Sequence, residues 1–384
     1  MRVANIIEEG KLGGPQVRIA LVAASLKDDV ATTVIMPEDN SVPFRKRCDE
    51  LQVSYKVLAL SRITKEWRVA LRYVVFSFYE IIRLAFLLRR GEFDLVHVSG
   101  GSWQYKGVIA GKLARKKVLW HLNDTDMPRF IRFLFKIISP LADGFIFASE
   151  RSKIYYRTLV VKGRHEYVIP APVDTLSFDP AKVYPGEEGF ISKWQGKIVI
   201  GTVANVNPVK GLDIFIRAAA ILNEHVKNIA FVVVGQVYKN QQRYFDSLLQ
   251  LCDDLAIDNF DFVGSRSDLR PLLKRFDVYV CSSRAESSPI SVWEAMAMGK
   301  AIVSADVGDV ALYVRDGYNG YIVGVEDQKA LAAKVETLVG DENVRMKFGG
   351  RARETSLREL DIKFCAHRHK AAYVSLSEEG ITLF

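Results

Sequence analysis

The feature that most constrains this chain is an alternation of short apolar runs with longer helical stretches, which starts at the N-terminus and restarts midway. Short buried strands separated by helices are typical of a mostly parallel sheet with helices on both faces. We therefore predict two doubly wound α/β domains. The predicted strands are 2–7, 32–36, 94–98, 117–121 and 143–148 in the first half, and 197–203, 229–234, 260–263, 277–281, 301–304 and 320–323 in the second.

Chain length supports this division, because 384 residues exceed what one hydrophobic core usually organises. A segment rich in Pro, Gly and Asp, residues 170–195, interrupts both periodicities and is the predicted connection. The predicted domains are 1–172 and 173–365, and 366–384 forms a C-terminal helix or tail that packs back on the first domain. One closing helix is predicted over roughly 341–378. Ligands of such sheets bind at the carboxyl ends of the strands, so we expect the two sheets to face each other across a cleft that holds the active site.

Positive charge is confined to the first half of the chain. Residues 1–170 hold 28 Lys+Arg against 17 Asp+Glu, a net charge of +11, whereas the remainder holds 25 against 28, a net charge of −3. This asymmetry favours an anionic partner for the first half: nucleic acid, a phospholipid surface or a phosphorylated acceptor.

Two segments of the first half, 66–90 and 128–142, are basic and apolar at once. Arg72, Glu80 and Arg83 interrupt the first, so its uncharged run is far shorter than the roughly 20 residues of a membrane-spanning helix. Each segment is either a buried helix whose arginines reach solvent or a face that rests on anionic lipid headgroups. The charge asymmetry favours the second interpretation.

Cysteine usage predicts a reducing compartment. The four cysteines are far apart, no C-x-x-C pair occurs, and the start of the chain does not resemble a secretory signal. We therefore expect a cytoplasmic protein that also works peripherally on the cytoplasmic face of the membrane. Cys365, His367 and His369 alternate near the C-terminus, but this spacing matches no standard zinc site, so no metal is expected.

The strongest chemical signal lies in residues 278–308, where a strand, a loop, a helix and a second strand follow one another. Glu286 lies in the loop. Ser288 is a good N-cap and Pro289 a good first helical residue, so a helix is predicted to begin there, with Glu294 inside it. The two carboxylates then flank free backbone N–H groups at the positive end of a helix dipole. This arrangement predicts a diphosphate site between two acceptors for hydroxyl groups.

The same stretch resembles the E-x7-E signature of glycosyltransferase family 4, whose members are retaining enzymes of the GT-B architecture. The resemblance implies that Glu286 contacts hydroxyls of the transferred sugar and that Glu294 holds the ribose hydroxyls of the nucleotide. The family commonly has Gly where this chain has Ser287. The donor-binding residues predicted in this stretch are Ser287, Ser288, Pro289, Ile290, Ser291 and Glu294.

A second stretch that is similar to the family covers residues 200–219: a strand, a turn with Lys210, and a helix. In the family this lysine contacts the donor diphosphate and is helped by an arginine a few residues earlier. Asn205 and Asn207 occupy the candidate positions here, so Arg266 is the predicted replacement base. Lys210, Asn205 and Arg266 are therefore predicted to bind the donor.

Two signals in the first half are weaker. Gly13 and Gly14 resemble the family's G-G turn, where missing side chains let the backbone approach the donor phosphate. His121 ends a predicted strand, so it is expected to face the cleft, at a position that resembles a family segment near the sugar. Taken alone, the glycines are equally compatible with an ordinary turn and the histidine with a structural role. The predicted catalytic residues are Glu286, His121 and Lys210.

The resemblance implies a retaining, metal-independent hexosyltransferase without a cofactor. We predict transfer from a nucleotide-sugar to a lipid-linked or cell-surface glycan, as in lipopolysaccharide, capsule or exopolysaccharide synthesis. No residue is an obvious nucleophile, which favours front-face attack with the leaving diphosphate as the proton acceptor.

Two alternatives remain open at this stage. A nucleotide-sugar epimerase shares the architecture. A non-enzymatic protein that binds anionic lipid or nucleic acid explains the charge but leaves residues 286–308 unexplained, so no nucleic-acid partner is expected. An NAD-dependent enzyme is disfavoured because no G-x-G-x-x-G follows a strand.

Overall fold

The computed structural model describes residues 1–62, 67–125, 127–185 and 192–378; within this, the side chains of 67–75 are not described. The chain divides into two compact units. The first unit combines Met1–Pro172 with Ile362–Phe384, and the second is Val173–Asp361. The chain therefore leaves the first unit once and returns to it through its last helix, whereas the sequence placed that return at residue 366.

Each unit is built on a parallel sheet. The first sheet has the strand order β3-β2-β1-β4-β5-β6-β7 and the second β10-β9-β8-β11-β12-β13. The strands are β1 (Arg2–Ile6), β2 (Ala31–Pro37), β3 (Ser54–Leu58), β4 (Leu95–Val98), β5 (Lys117–Leu122), β6 (Gly144–Phe147), β7 (His165–Val168), β8 (Ile198–Val203), β9 (Ile229–Val234), β10 (Phe260–Gly264), β11 (Val278–Cys281), β12 (Ala301–Ala305) and β13 (Gly320–Val323). Both orders are doubly wound, as predicted.

Helices connect successive strands. They are α1 (Gly14–Ser25), α2 (Val42–Glu50), α3 (Trp67–Arg90), α4 (Tyr105–Leu113), α5 (Arg129–Ile138), α6 (Glu150–Tyr156), α7 (Leu212–His225), α8 (Gln242–Asp254), α9 (Arg270–Arg275), α10 (Ile290–Ala297), α11 (Val310–Tyr313), α12 (Gln328–Gly340), α13 (Glu342–Thr355) and α14 (Ile362–Glu378).

The position of the first strand of each sheet determines where a ligand can bind. β1 pairs in parallel with both β2 and β4, and β8 pairs in parallel with both β9 and β11. The chain order reverses at these strands, and the loops that leave their carboxyl ends diverge to opposite faces of the sheet. The loops after β1 and β4, and those after β8 and β11, therefore border a natural ligand crevice in each unit.

Two edge strands were not predicted. β3 (SYKVL) and β7 (HEYV) lie at opposite edges of the first sheet and are only partly buried. The central strands β1, β4 and β9 are buried along almost their whole length and are nearly all apolar. An edge strand has solvent along one side and therefore needs no continuous apolar run, so this signal was missing.

The predicted single helix over 341–378 is wrong. A π-helical turn, Ser356–Leu360, and the extended residue Asp361 separate α13 from α14. The Thr175 hydroxyl donates a hydrogen bond to the Asp361 carboxylate, and the Val173 N–H donates to the Leu360 carbonyl at 3.0 Å. Because contacts distant in sequence make this break, the sequence around it carries neither a proline nor a glycine to announce it.

Helices cover both faces of the first sheet. On one face α3, α4 and α5 share a core that includes Leu84, Val108 and Phe135. On part of the other face α1 packs with α14, whose Cys365 and Tyr373 are fully buried. The last helix is thus an integral part of the first unit's core.

The helices α3 and α5 are buried along one side only. α3 exposes Phe78, Ile82 and Phe86, and α5 exposes Phe130, Phe133 and Ile137, each with between 48% and 77% of its surface in solvent. The sequence had left open whether these segments are buried or rest on lipid headgroups, and a fully buried helix no longer fits. Of the helices in the described ranges, none combines the length and apolar character needed to cross a bilayer.

Candidate active site

Lys210 lies at the end of a short 3₁₀ turn, Pro208–Lys210, that follows β8. The Asn207 side chain caps this turn by accepting a hydrogen bond from the Val209 N–H at 3.0 Å. The next residue, Gly211, has φ 61°, and a Cβ there would lie 2.0 Å from the Ser282 carbonyl oxygen. Glycine is therefore required twice, for its conformation and for the close approach of the loop after β11.

Lys210 and Glu286 form an ion pair in the second unit. The Lys210 Nζ lies 2.6 Å from Glu286 Oε1, and the Ser283 hydroxyl donates to the same oxygen at 2.8 Å. The side chains are 27% and 15% exposed, so a ligand can reach both. Burial by itself lowers the pKa of Lys210, but the Glu286 carboxylate outweighs burial and the pKa is raised. The lysine is therefore a permanent positive charge beside the loop of Glu286.

Arg284 joins the two loops that carry this pair. Its N–H donates to the Val209 carbonyl at 2.7 Å and its Nη1 to the Pro208 carbonyl at 2.7 Å. The guanidinium also binds both oxygens of Asp213 at 2.8 and 2.7 Å and donates to Glu326 at 2.7 Å. Sequence reasoning missed this residue, although a basic residue two positions before the first glutamate was a usable signal.

The backbone of the Glu286 loop is supported from the other side by Gly308. This glycine has φ 53°, and a Cβ there would lie 2.2 Å from the Ser287 carbonyl oxygen. The same carbonyl accepts a hydrogen bond from the Asp309 N–H at 3.2 Å. Ser287, where the family commonly has Gly, thus fits a loop whose close contact falls on Gly308 instead.

The helix α10 begins one residue later than predicted. Pro289 is its N-cap, so the prediction of Ser288 as N-cap and Pro289 as first helical residue is wrong. The Ser288 hydroxyl instead accepts a hydrogen bond from Trp293 Nε1 at 3.1 Å, because this buried indole N–H needs a partner. The first turn of α10 contains no acidic residue. The N–H groups of Ile290 and Ser291 lack intrahelical acceptors and present partial positive charge.

Glu294 lies in the second turn of α10 and is half-buried. Burial raises the pKa of its carboxyl from 4.5 to about 8, so the group is largely protonated at neutral pH. In the described part of the chain no other side chain hydrogen-bonds this carboxyl. It is therefore available to hydroxyl groups of a ligand, both as donor and as acceptor.

His121 lies in a separate cluster in the first unit. It is fully buried, with Nε2 2.9 Å from Arg18 Nη1 and Nδ1 3.3 Å from His97 Nε2. The two imidazoles are stacked with their centroids 5.5 Å apart. Burial, the Arg18 charge and His97 hold the pKa of His121 well below its usual value, so the ring is neutral. Both ring nitrogens thus face protein groups, and the predicted substrate contact of His121 remains a prediction.

Comparison with known families accounts for nearly the whole chain. The model for glycosyltransferase family 4 matches residues 12–176, and the model for group 1 glycosyl transferases matches residues 187–355. The chain belongs to the group 1 glycosyltransferases of family 4. The recognition made from the E-x7-E signature is therefore confirmed, and the protein is a glycosyltransferase.

Two relatives of this family member come from bacterial glycan synthesis. It is 26% identical to the N,N'-diacetylbacillosaminyl-diphospho-undecaprenol alpha-1,3-N-acetylgalactosaminyltransferase of Campylobacter jejuni, over 90% of this chain and 91% of the relative. It is 29% identical to a lipopolysaccharide core biosynthesis mannosyltransferase of Rhizobium leguminosarum, over 70% of this chain and 80% of that one.

Solved structures establish the fold of the family member. The crystal structure of Anabaena Alr3699/HepE in complex with UDP and glucose matches with a TM-score of 0.83 and 20% identity, over 98% of this chain and 100% of the other. A glycosyltransferase from Rickettsia africae matches with a TM-score of 0.83 and 17% identity, over 98% of each chain. The predicted GT-B class, with two Rossmann-like domains, is confirmed.

The remaining residues that the family resemblance selected lie in several places. Asn205 Oδ1 accepts a hydrogen bond from the Gln236 N–H at 3.0 Å, so this side chain ties the loop after β8 to the strand beside it. Arg266 Nη1 donates to the carbonyl of its neighbour Ser265 at 3.1 Å. The structure therefore brings Lys210 and Glu286 together but places neither Asn205 nor Arg266 on them.

The glycines of the family's G-G turn lie at the start of α1 in the first unit. Gly13 is the N-cap, in an extended conformation with φ −155°, and Gly14 is the first helical residue. The first turn of α1 has no acidic residue. The N–H groups at this helix start are therefore not neutralised by a carboxylate of the same turn.

The C-x-H-x-H run of α14 has a structural explanation at its two ends. His369 Nδ1 donates to the Cys365 carbonyl at 2.7 Å, and both residues are buried in the first unit's core. Across the ranges that the structure describes, no three His, Cys, Asp or Glu side chains are grouped so that they could hold a metal ion.

Proposed function

We propose that this glycosyltransferase transfers a hexosyl group, with retention of anomeric configuration, from a nucleotide-sugar to a lipid-linked or cell-surface glycan. The Lys210–Glu286 pair beside the start of α10 is the observation that carries the proposal. An ammonium and unneutralised helix N–H groups suit a diphosphate. The names of two relatives, a diphospho-undecaprenol glycosyltransferase and a lipopolysaccharide core mannosyltransferase, support the acceptor class.

The second oxygen of Glu286 supports a role in holding the sugar. Both hydrogen bonds to this carboxylate, from Lys210 and Ser283, end on Oε1. Among the described residues Oε2 accepts none, so it is free to accept hydrogen bonds from sugar hydroxyls. The lysine and the serine meanwhile fix the orientation of the carboxylate, which keeps Oε2 pre-positioned.

Retention follows in this proposal from attack on the face that the leaving group occupies. The acceptor oxygen bonds to the anomeric carbon while the bond from that carbon to the diphosphate oxygen breaks, and the acceptor's proton passes to the diphosphate. Lys210 and the N–H groups at the start of α10 stabilise the charge that develops on the diphosphate. Because these groups supply positive charge, we propose that transfer needs neither a metal ion nor a cofactor.

A donor screen tests this proposal. The protein is incubated with UDP-, GDP- and ADP-sugars and a diphospho-polyprenol glycan, and products are separated by mass and examined by NMR. We expect one donor to give an elongated acceptor with the donor's anomeric configuration, at a rate that EDTA leaves unchanged. An isomerised nucleotide-sugar without elongation would instead identify an epimerase, and an inverted linkage would contradict the proposed mechanism.

The exposed sides of α3 and α5 favour an anionic membrane surface as a further partner of the same enzyme. Their exposed apolar residues are Phe78, Ile82 and Phe86 on α3 and Phe130, Phe133 and Ile137 on α5. Exposed arginines and a lysine lie beside them, namely Arg83, Arg89, Arg90, Arg129, Arg132 and Lys136. Apolar side chains that enter a headgroup layer, flanked by basic residues, are typical of helices that lie on anionic bilayers. We propose that this surface holds the enzyme at the cytoplasmic face, next to a lipid-linked acceptor.

Vesicle flotation tests the membrane contact. We expect binding to vesicles with about 30% anionic lipid, weaker binding as salt rises, and little binding to neutral vesicles. Phe133→Ser should release most of the bound protein, whereas Ile154→Ser, a change to a residue of α6 with 69% exposure, should not. Equal binding to neutral and anionic vesicles would contradict an electrostatic contact.

A further inference from the structure

Arg18 of α1 is a buried cation without a carboxylate partner. The residue is 3% exposed, and its Nη1 lies 2.9 Å from His121 Nε2 and 2.7 Å from Asn123 Oδ1. Among the residues that the structure describes it forms no ion pair, and its Nη2 has no hydrogen-bond partner. Burial lowers its pKa to about 9, which still leaves it charged at neutral pH. A buried charge without a counter-ion is costly, so a ligand that supplies negative charge would be favoured here.

Asn123 carries a second unsatisfied donor. An arginine can only donate, so the amide oxygen of Asn123 must face Arg18 and the amide orientation is determined. The remaining Nδ2 is buried and has no hydrogen-bond partner in the described structure. Arg18 Nη2 and Asn123 Nδ2 are therefore two neighbouring orphan donors, and a single group with lone pairs and negative charge would satisfy both.

The surrounding imidazoles orient Arg18 but do not neutralise it. Because Arg18 donates to His121 Nε2, the His121 proton sits on Nδ1 and points to His97 Nε2. The His97 proton then sits on Nδ1, 2.8 Å from the Tyr373 hydroxyl. Burial keeps the pKa of both histidines well below the usual value, so both stay neutral. The chain of hydrogen bonds is a rigid, uncharged frame around one positive charge.

The two donors lie at the carboxyl edge of the first sheet. His121 is near the end of β5 and Asn123 follows it. Arg18 is the fifth residue of α1, and helical side chains lean toward the helix N-terminus, here Gly13 and Gly14. The unneutralised N–H groups of that helix start are therefore on the side to which the guanidinium extends. A buried unpartnered arginine and a helix start thus independently indicate an anion.

We infer that Arg18 and Asn123, together with the first turn of α1, form a subsite for a phosphate oxygen of a substrate. His121 is in this view a positioning residue that holds Arg18. The inference rests on the proposed function only in assigning the anion to a substrate, and its chemistry is shared by two sources. The phosphate belongs either to the donor diphosphate or to a phosphorylated acceptor.

Thermal unfolding with inorganic pyrophosphate tests the subsite without requiring turnover. All samples carry Lys210→Met, which removes the lysine through which the second unit would answer pyrophosphate, and ionic strength is held constant with NaCl. We expect pyrophosphate to raise Tm by mass action. Arg18→Met and Asn123→Asp should each abolish the rise, Arg18→Lys should keep part of it, and Arg217→Met, which changes an exposed arginine of α7, should keep all of it. The absence of any rise, or a rise that survives Arg18→Met, would overturn the inference.

Kinetics on the otherwise wild-type enzyme then separate the two sources. A KM increase of about tenfold or more for the nucleotide-sugar in Arg18→Lys assigns the subsite to the donor, and the same increase for the acceptor assigns it to the acceptor phosphate. Unchanged KM values for both substrates would overturn the assignment to a substrate. If the wild-type protein transfers no sugar but shows the Arg18-dependent response to pyrophosphate, the proposed function fails while the subsite stands.

Discussion

The two units solve the problem of holding a charged group beside a ligand crevice in opposite ways. In the second unit Lys210 and Glu286 neutralise each other and remain partly exposed. In the first unit Arg18 is almost completely buried and has only neutral neighbours. An exposed pair can exchange partners with a ligand at small cost, whereas a buried lone charge gains most when a ligand arrives. The first arrangement suits a group that takes part in each turnover, and the second suits a fixed anchor.

The sharpest way to break this comparison is Glu286→Gln. The amide keeps the size of the side chain but removes its charge, so Lys210 loses its partner and the sugar hydroxyls lose a carboxylate. We expect kcat to fall by about 10²–10³-fold, the range found when one group that stabilises a transition state is removed, while the donor still binds. Steady-state kinetics and donor titration measure both effects.

Glu336→Gln is the matched control for this change, because Glu336 is an exposed glutamate of α12. It should leave kcat and donor affinity unchanged. Glu294→Ala should differ from both by weakening donor binding about tenfold, since it removes a carboxyl group that can bind hydroxyls. Full activity in both Glu286→Gln and Glu294→Ala would end the assignment of this site.

A smaller effect is expected from pH, because Glu294 has an elevated pKa in the folded protein. Its carboxyl titrates near pH 8 when folded and near 4.5 when exposed, so the unfolded state loses the proton first. The wild-type protein should therefore lose stability relative to Glu294→Gln as pH rises from about 4.5 to about 8, with no further change above. We expect a difference of about 2 kcal/mol at pH 9, because a tenfold difference in proton affinity is worth about 1.4 kcal/mol.

Urea unfolding at pH 4.5, 7 and 9 measures this difference. The control is Glu342→Gln, an exposed residue of α13, for which the difference from wild type should not depend on pH. A variant Glu294→Gln that is less stable than wild type at pH 9 would show that Glu294 is ionised and paired in the folded protein. The pH dependence would then have the opposite sign.

The difference between the units also explains what the sequence could reveal. Glu286, Glu294 and Lys210 sit in local patterns of strand, turn and helix, so spacing along the chain was enough to select them. Arg18 and Asn123 gain their meaning from contacts with each other across 105 residues. Nothing near Arg18 in the sequence shows that its charge is buried without a partner.

Details of local structure failed for the same reason. Ser288 has the chemistry of an N-cap, but the buried indole of Trp293 takes its hydroxyl and moves the start of α10. Arg284 looks like a loop arginine until the folded chain places Asp213 beside it. Buried apolar strands were predicted with accurate bounds because burial on both faces leaves a direct mark in composition, whereas polar contacts at a distance leave none.

The smallest expected effect sharpens the comparison at His121, where catalysis and positioning make different predictions. If the ring only holds Arg18, then Gln, whose side-chain oxygen can also accept from Nη1, should keep activity within about fivefold of wild type, while His121→Ala should lose more. The low pKa of His121 leaves it neutral down to acidic pH, so kcat/KM should show no decline between pH 8 and 6 that is lost in His121→Gln. Initial rates over this range measure the profile, and an inflection near pH 6.5 that disappears in His121→Gln would show that the ring titrates during catalysis. In that case the frame around Arg18 would be part of the reacting machinery, and the contrast between an exchanging pair and a fixed anchor would no longer hold.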